Sequence, residues 1–176
     1  MNEKSEPFCG GSLIDTCYVL TAAHCTDGQY LDEMMVVLKD HIGRDDGTAG
    51  GEDAMNDEGI FIQVEEIFQH PDYDNSTYAN DIAVLKLESC VEFEKELAPI
   101  CMPTDDPENK FVGNIATVTG WGALEYEGDS SHVLMEVNLP IISNEECLNI
   151  YDVFDHMICA DGSSAGMDSC QGDSGG

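Results

Sequence analysis

The chain has 176 residues, enough to bury a real core as one domain or two small ones, and its 42% hydrophobic share argues against wholesale disorder. Six Lys and Arg stand against 36 Asp and Glu, a formal charge of −30, and Arg44 is the only arginine. Such a field repels phosphate backbones and anionic lipid, so nucleic-acid and membrane-surface roles are disfavoured and basic partners or substrates are favoured.

In chain order, "GSLI", "YVLT", "MMVVL", "IFIQVEEI", "IAVLKL", "IATVTG", "HVLMEVNLPI" and "MICA" are β-branched or aromatic-rich runs, several of them alternating. Gly, Asp, Asn and Pro clusters separate them. One helix is predicted, over 143–151 ("SNEECLNIY"), with Ser143 as N-cap and Glu146 completing a capping box. Many short strands and little helix predict an all-β barrel or sandwich. Residues 40–59, acidic and glycine-rich, are expected to form a long exposed loop, and 103–110 ("PTDDPENK") a polar connector between an earlier and a later β unit. No apolar run is long enough to span a bilayer, and "MNEKSEPF" has no apolar signal core.

The eight cysteines, at 9, 17, 25, 90, 101, 147, 159 and 170, include no CxxC pair and no zinc-like grouping with histidine. An even count without metal spacing reads as disulfides and hence an oxidising compartment. Secretion is therefore expected, and the polar start then suggests a chain without its true beginning.

The chain closes on "CQGDSGG". Flanking glycines permit a tight turn that exposes Ser174 and let a substrate backbone approach closely. The N–H groups of Gly172 and Ser174 can converge there on an oxyanion. The alternative is a plain Gly/Ser loop. A serine nucleophile needs a base, which at neutral pH is usually histidine. Of five, His41 and His70 read as turn residues, and His132 and His156 have no distinctive setting. His24 lies in "LTAAHC", where an apolar strand meets a small-residue turn clamped by Cys25. Asp81 is the best third member, because it opens the apolar strand "DIAVLKL" and a carboxylate so placed needs a partner.

Taken together, "FCGGSLI", "VLTAAHC", "NDIAVLKL", "VTGWG" and "DSCQGDSGG", in this order, resemble the chymotrypsin/trypsin family of serine proteases across essentially the whole chain. The resemblance implies two antiparallel β-barrels, the first over about 1–102 and the second over about 111–176, with the active site between them. It implies Ser174 as nucleophile, His24 as general base then acid, Asp81 as its orienter, and Gly172 and Ser174 as the oxyanion hole. Asp168 and Ser169 match the floor of the family's primary pocket and imply cleavage after Lys or Arg, a solvated loop acid being the alternative. The partners implied are protein or peptide substrates and protease inhibitors, with the enzyme a monomer.

The same resemblance selects the bridges Cys9–Cys25 and Cys147–Cys159, and directs Cys170 and Cys101 to sequence beyond the two ends. Cys17 and Cys90 are left, and are read as an extra bridge between neighbouring strands of the first barrel. Asn75-Ser76-Thr77 is an N-glycosylation sequon in a polar loop, or else an unmodified turn. The 40–59 loop lies where some trypsins bind calcium. A solvated acidic loop is the preferred reading and calcium binding there the alternative, and no other cofactor or metal is expected.

The family's active state pairs a new N-terminal amine with the aspartate before the nucleophile, here Asp173. The chain lacks the "IVGG"-like start and the strands that follow the nucleophile, so the second barrel is expected to be incomplete and the site zymogen-like. A catalytically inactive homologue acting by binding is accordingly the second reading, and a generic acidic extracellular module, which explains none of the motifs, the third.

Overall fold

Eight antiparallel strands form two sheets among the residues that a computed structural model describes, namely 8–39, 59–103, 111–123, 128–131, 133–149, 153–154, 157–162 and 172–176. The first sheet contains β1 (Ser12–Asp15), β2 (Tyr18–Thr21), β3 (Met35–Leu38), β4 (Ile60–Gln69) and β5 (Ala83–Leu87), in the order β1-β2-β5-β4-β3. The second contains β6 (Ile115–Gly120), β7 (Met135–Ile142) and β8 (Cys159–Ala160). The fold is all-β, as the alternating runs require.

Curling of the first sheet originates in β4. Its first residues pair with β3 (Leu38 with Ile60, Met35 with Gln63), and the rest pair with β5, with an irregularity between Val64 and Glu66. An extra residue at such a point bends the strand and increases its twist. The concave face then closes on Leu13, Val19, Met34, Ile62, Val64, Leu85, Leu87 and Leu97, all buried. Each such side chain, when fully withdrawn from water, contributes roughly 1.5–3 kcal/mol. Ala83, Leu85 and Leu87 alternate inward along β5, which hydrogen-bonds on both sides, to β2 and to β4. β5 is therefore the central strand of the sheet, and the residues at its head are anchored by it.

In the second sheet β6 pairs with β7 along its whole length, Ile115 opposite Pro140 and Gly120 opposite Met135. Its described buried apolar residues are Leu139, Ile141, Cys147 and Cys159. The helix predicted over 143–151 is shorter: α1 spans Asn144–Cys147. It stops because the Asn149 amide donates to the carbonyls of Glu145 and Glu146, both at 3.2 Å, closing the end, while Cys147 is bridged to Cys159.

The N-terminus of α1 carries the expected capping box. Ser143 Oγ accepts from the Glu146 N–H at 3.2 Å, and the Ser143 N–H donates to Glu146 Oε2 at 3.1 Å. The Ser143 hydroxyl, then its N–H, hold the Glu146 carboxyl below its ordinary value of 4.5. A group depressed in the folded state stabilises the fold above its ordinary value and loses that contribution as pH falls through the folded one. Ser143→Ala should therefore destabilise the protein at neutral pH, and its deficit against the parent should narrow as pH drops below 4.5. Urea midpoints measured across that range check the trend, and a deficit constant with pH would contradict it.

Candidate active site

The antiparallel register of β2 and β5 sets Thr21 opposite Ala83. His24, three residues after Thr21, thereby comes beside Asp81, two residues before Ala83. His24 occupies a 3-10 turn (Ala23–Cys25) whose flanking residues Ala23 and Cys25 are buried. Small side chains permit this packing, and the Cys9–Cys25 disulfide ties the turn to the segment before β1. Thr26 Oγ1 donates to the Ala23 carbonyl at 2.9 Å, and Gln69 Nε2, at the end of β4, donates to Thr26 Oγ1 at 2.7 Å.

Asp81 holds the histidine at two points. Its Oδ1 accepts the His24 backbone N–H at 2.8 Å, and its Oδ2 lies 2.7 Å from Nδ1. With the carboxylate ionised and the imidazole neutral, this contact puts the ring hydrogen on Nδ1 and leaves the lone pair on Nε2. The side chains are 32% and 21% exposed, so the pair is partly shielded while the imidazole still reaches the surface. The ring of Tyr78 stands edge-on to that of His24, centroids 5.8 Å apart.

Ser174 takes the first corner of a turn closed by the Gly176 N–H donating to the Asp173 carbonyl at 3.0 Å. Gly175 has φ 87° at the second corner, as a type II turn requires. A Cβ on Gly175 would also run into Thr21 Oγ1 and the Gly10 carbonyl. The turn docks on the first sheet: the Gly10 N–H donates to the Ser174 carbonyl at 2.7 Å, and Thr21 Oγ1 donates to the Gly10 carbonyl at 2.8 Å. Cys25 Sγ lies 3.6 Å from both the Ser174 carbonyl oxygen and His24 Nε2. Serine backbone and imidazole thus flank one disulfide sulfur. No hydrogen bond joins Ser174 Oγ to Nε2, and in unliganded sites such bonds are often long.

The family called Trypsin matches residues 1–176. The chain is 42% identical over 172 residues to the venom protease of Bombus pensylvanicus, covering 96% of this chain and 67% of that one. It is 40% identical over 188 residues to the venom serine protease Bi-VSP of Bombus ignitus, covering 99% and 49%. With the serine protease filzig of Drosophila melanogaster it shares 39% identity over 175 residues, 96% of this chain but 10% of that protein. The chain belongs to the trypsin family of serine proteases. It spans between one tenth and about two thirds of the length of these relatives.

In this trypsin-family chain Asp173 Oδ1 accepts the Gly122 N–H at 2.7 Å. Its carboxylate fits against Gly120 and Gly122, where any Cβ would collide with it. Thus the glycines of "VTGWG" carry the aspartate that precedes Ser174. Among the described residues neither the Gly172 nor the Ser174 N–H is engaged by an acceptor. The structure joins Cys17 to Cys90 and Cys147 to Cys159 as it joins Cys9 to Cys25, and leaves Cys101 as an exposed thiol. Cys9, His24 and Cys25 bring three donor atoms within 4.8 Å of one another, but the two sulfurs are bonded to each other and present no thiolate to a metal.

Asp168, Ser169 and Cys170 lie outside the described residues, as do His41, His132, His156 and all of the 40–59 loop except Gly59. His70 is a turn residue whose Nδ1 accepts the Asp72 N–H at 3.1 Å. Tyr78, Gln69 and Thr26 carry no signal in the sequence, since neither periodicity nor motif marks a residue that touches the site through a loop or braces it from a strand end. The phenol of Tyr73 is held above its ordinary value by desolvation and then by the carboxylates of Asp81 and Asp27. A hollow of about 350 Å³, lined by Ile60, Val91, Glu92, Phe93, Glu94 and Leu97, includes none of the candidate site residues.

Proposed function

We propose that the chain carries a serine endopeptidase that hydrolyses peptide bonds through an acyl-enzyme and cleaves after Lys or Arg. Ser174 attacks the scissile carbonyl while His24 Nε2 takes its proton, and the imidazolium so formed is stabilised by Asp81. The proton passes to the leaving amine, and water, deprotonated by the same nitrogen, releases the acyl group. The amides of Gly172 and Ser174 receive the developing oxyanion. The observation that carries the reading is the two-point bond of Asp81 to His24, which leaves Nε2 as the free base on the side of the Ser174 turn. This mechanism is the one established for the chymotrypsin family, to which the chain belongs.

Asp168 is assigned the pocket floor, where a carboxylate pairs with a substrate guanidinium or ammonium. Three disulfides support an extracellular setting, and among the described residues no helix is long and apolar enough to cross a membrane. Among the described residues Ser174 Oγ makes no hydrogen bond to His24 Nε2, an observation on the side of a homologue that binds without cleaving. A fluorophosphonate probe decides between the two: covalent labelling mapped to Ser174 supports the protease, and an inert Ser174 supports the binding homologue. For specificity, kcat/KM on peptides with Lys or Arg before the scissile bond should exceed that on Phe or Leu peptides by at least about 10²-fold. An apolar preference would overturn the role of Asp168.

A further inference from the structure

We propose that Asn75 is an N-glycosylation site whose oligosaccharide roots on the rim of the active site and filters substrates by size, an inference that rests on the protease reading above. Asn75, Ser76 and Thr77 are all exposed, and no proline interrupts the triplet. The loop that carries them is closed on itself: the Asp74 N–H donates to the Ala79 carbonyl at 3.1 Å, and Asp74 Oδ1 accepts from the Ser76 N–H and hydroxyl at 2.9 and 2.7 Å. Three disulfides place the chain in the compartment where such modification occurs.

The loop touches the site at two points. Asn75 Nδ2 donates to Asp27 Oδ2 at 3.2 Å, and the Asp27 N–H in turn donates to the Ala23 carbonyl in the turn that carries His24. Three residues after Asn75, Tyr78 sets its ring against the imidazole. A sugar on Asn75 therefore grows from the edge of the surface over which a substrate must pass to reach Nε2.

In the transfer, Nδ2 attacks the anomeric carbon of an oligosaccharide carried on a polyprenyl diphosphate. A C–N bond forms, the C–O bond to the diphosphate breaks, one amide proton is lost and the lipid diphosphate leaves. No oxidation state changes. The amide nitrogen retains one hydrogen, a donor with which the modified side chain can still reach Asp27 Oδ2, 3.2 Å from Nδ2 before modification. A short peptide can thread beneath such a group, whereas a folded protein meets it as bulk.

The test compares the parent with Asn75→Gln and Thr77→Ala, each expressed as the full protein its gene encodes and secreted from a eukaryotic host. Asn75→Gln removes the bond to Asp27 and Thr77→Ala keeps it, so an effect common to both belongs to the sugar. Expected are a loss of electrophoretic mass in both variants, unchanged kcat/KM on a small Arg peptide, and a several-fold rise in kcat/KM on a folded protein substrate. A parent that carries no sugar overturns the modification. A sugar whose loss leaves the ratio of protein to peptide cleavage unchanged overturns the filter. If no form cleaves the small peptide, the protease reading has failed instead. The mass shift then still decides the modification, and equal affinity of sugared and sugar-free forms for a folded protein substrate overturns the filter.

Discussion

Replacing Asp81 by Asn should lower kcat on a small peptide substrate by about 10⁴ and leave KM little changed, the magnitude being that established for the chymotrypsin family rather than one obtained from this geometry. The direction follows from the two bonds that Asp81 makes. Its Oδ1 receives the His24 backbone N–H, a donor that cannot change its role. An asparagine must therefore turn its carbonyl oxygen to that N–H and its NH₂ group to Nδ1. Nδ1 then has to accept, and the ring hydrogen moves to Nε2, the atom that should take the serine proton. The variant remains folded and binds substrate, but the base is in the wrong tautomer. Kinetics at neutral pH measure the loss, and nitrogen chemical shifts of the imidazole read the tautomer directly. A variant within tenfold of the parent would remove Asp81 from the mechanism.

Strands were readable because period-2 alternation is a local property: "YVLT" and "IATVTG" coincide with β2 and β6 to the residue. The partnership of His24 with Asp81 was foreshadowed by an acid at the head of an apolar strand, since such a carboxylate needs a donor. What the sequence could not supply is the register that sets Thr21 opposite Ala83, because pairing between strands 62 positions apart is settled by the whole sheet. The end of α1 leaves no mark in the sequence for a related reason. The capping box marks where α1 begins, but the stop depends on the Asn149 side chain and on the Cys147–Cys159 bridge, neither of which breaks the apolar pattern. Tyr78 escaped notice because its φ of 56° and its position over His24 arise from loop closure, which leaves no periodic trace.

The second large effect concerns the Cys17–Cys90 bridge, and here stability, not rate, should respond. In the chain-entropy account, closing a loop of 73 residues is worth about 4 kcal/mol, against about 3 kcal/mol for the separations of 16 and 12 in the other two bridges. Removing both cysteines together, as Cys17→Ala with Cys90→Ala, avoids a stray thiol that could exchange with exposed Cys101. For a chain of this size the loss should lower Tm by roughly 8–16 °C. Activity at temperatures well below the transition should be retained, because Cys17 precedes β2 at the end away from Thr21 and the His24 turn. The neighbouring backbone bonds, Leu87 N–H to the Cys17 carbonyl and Val91 N–H to the Thr16 carbonyl, both at 2.9 Å, hold the same junction in the folded state. They add nothing to the unfolded chain, where a bridge exerts its entropic effect. A Tm unchanged by the double substitution would therefore mean that the unfolded ensemble already keeps the segments around Cys17 and Cys90 together, leaving the covalent link no freedom to remove.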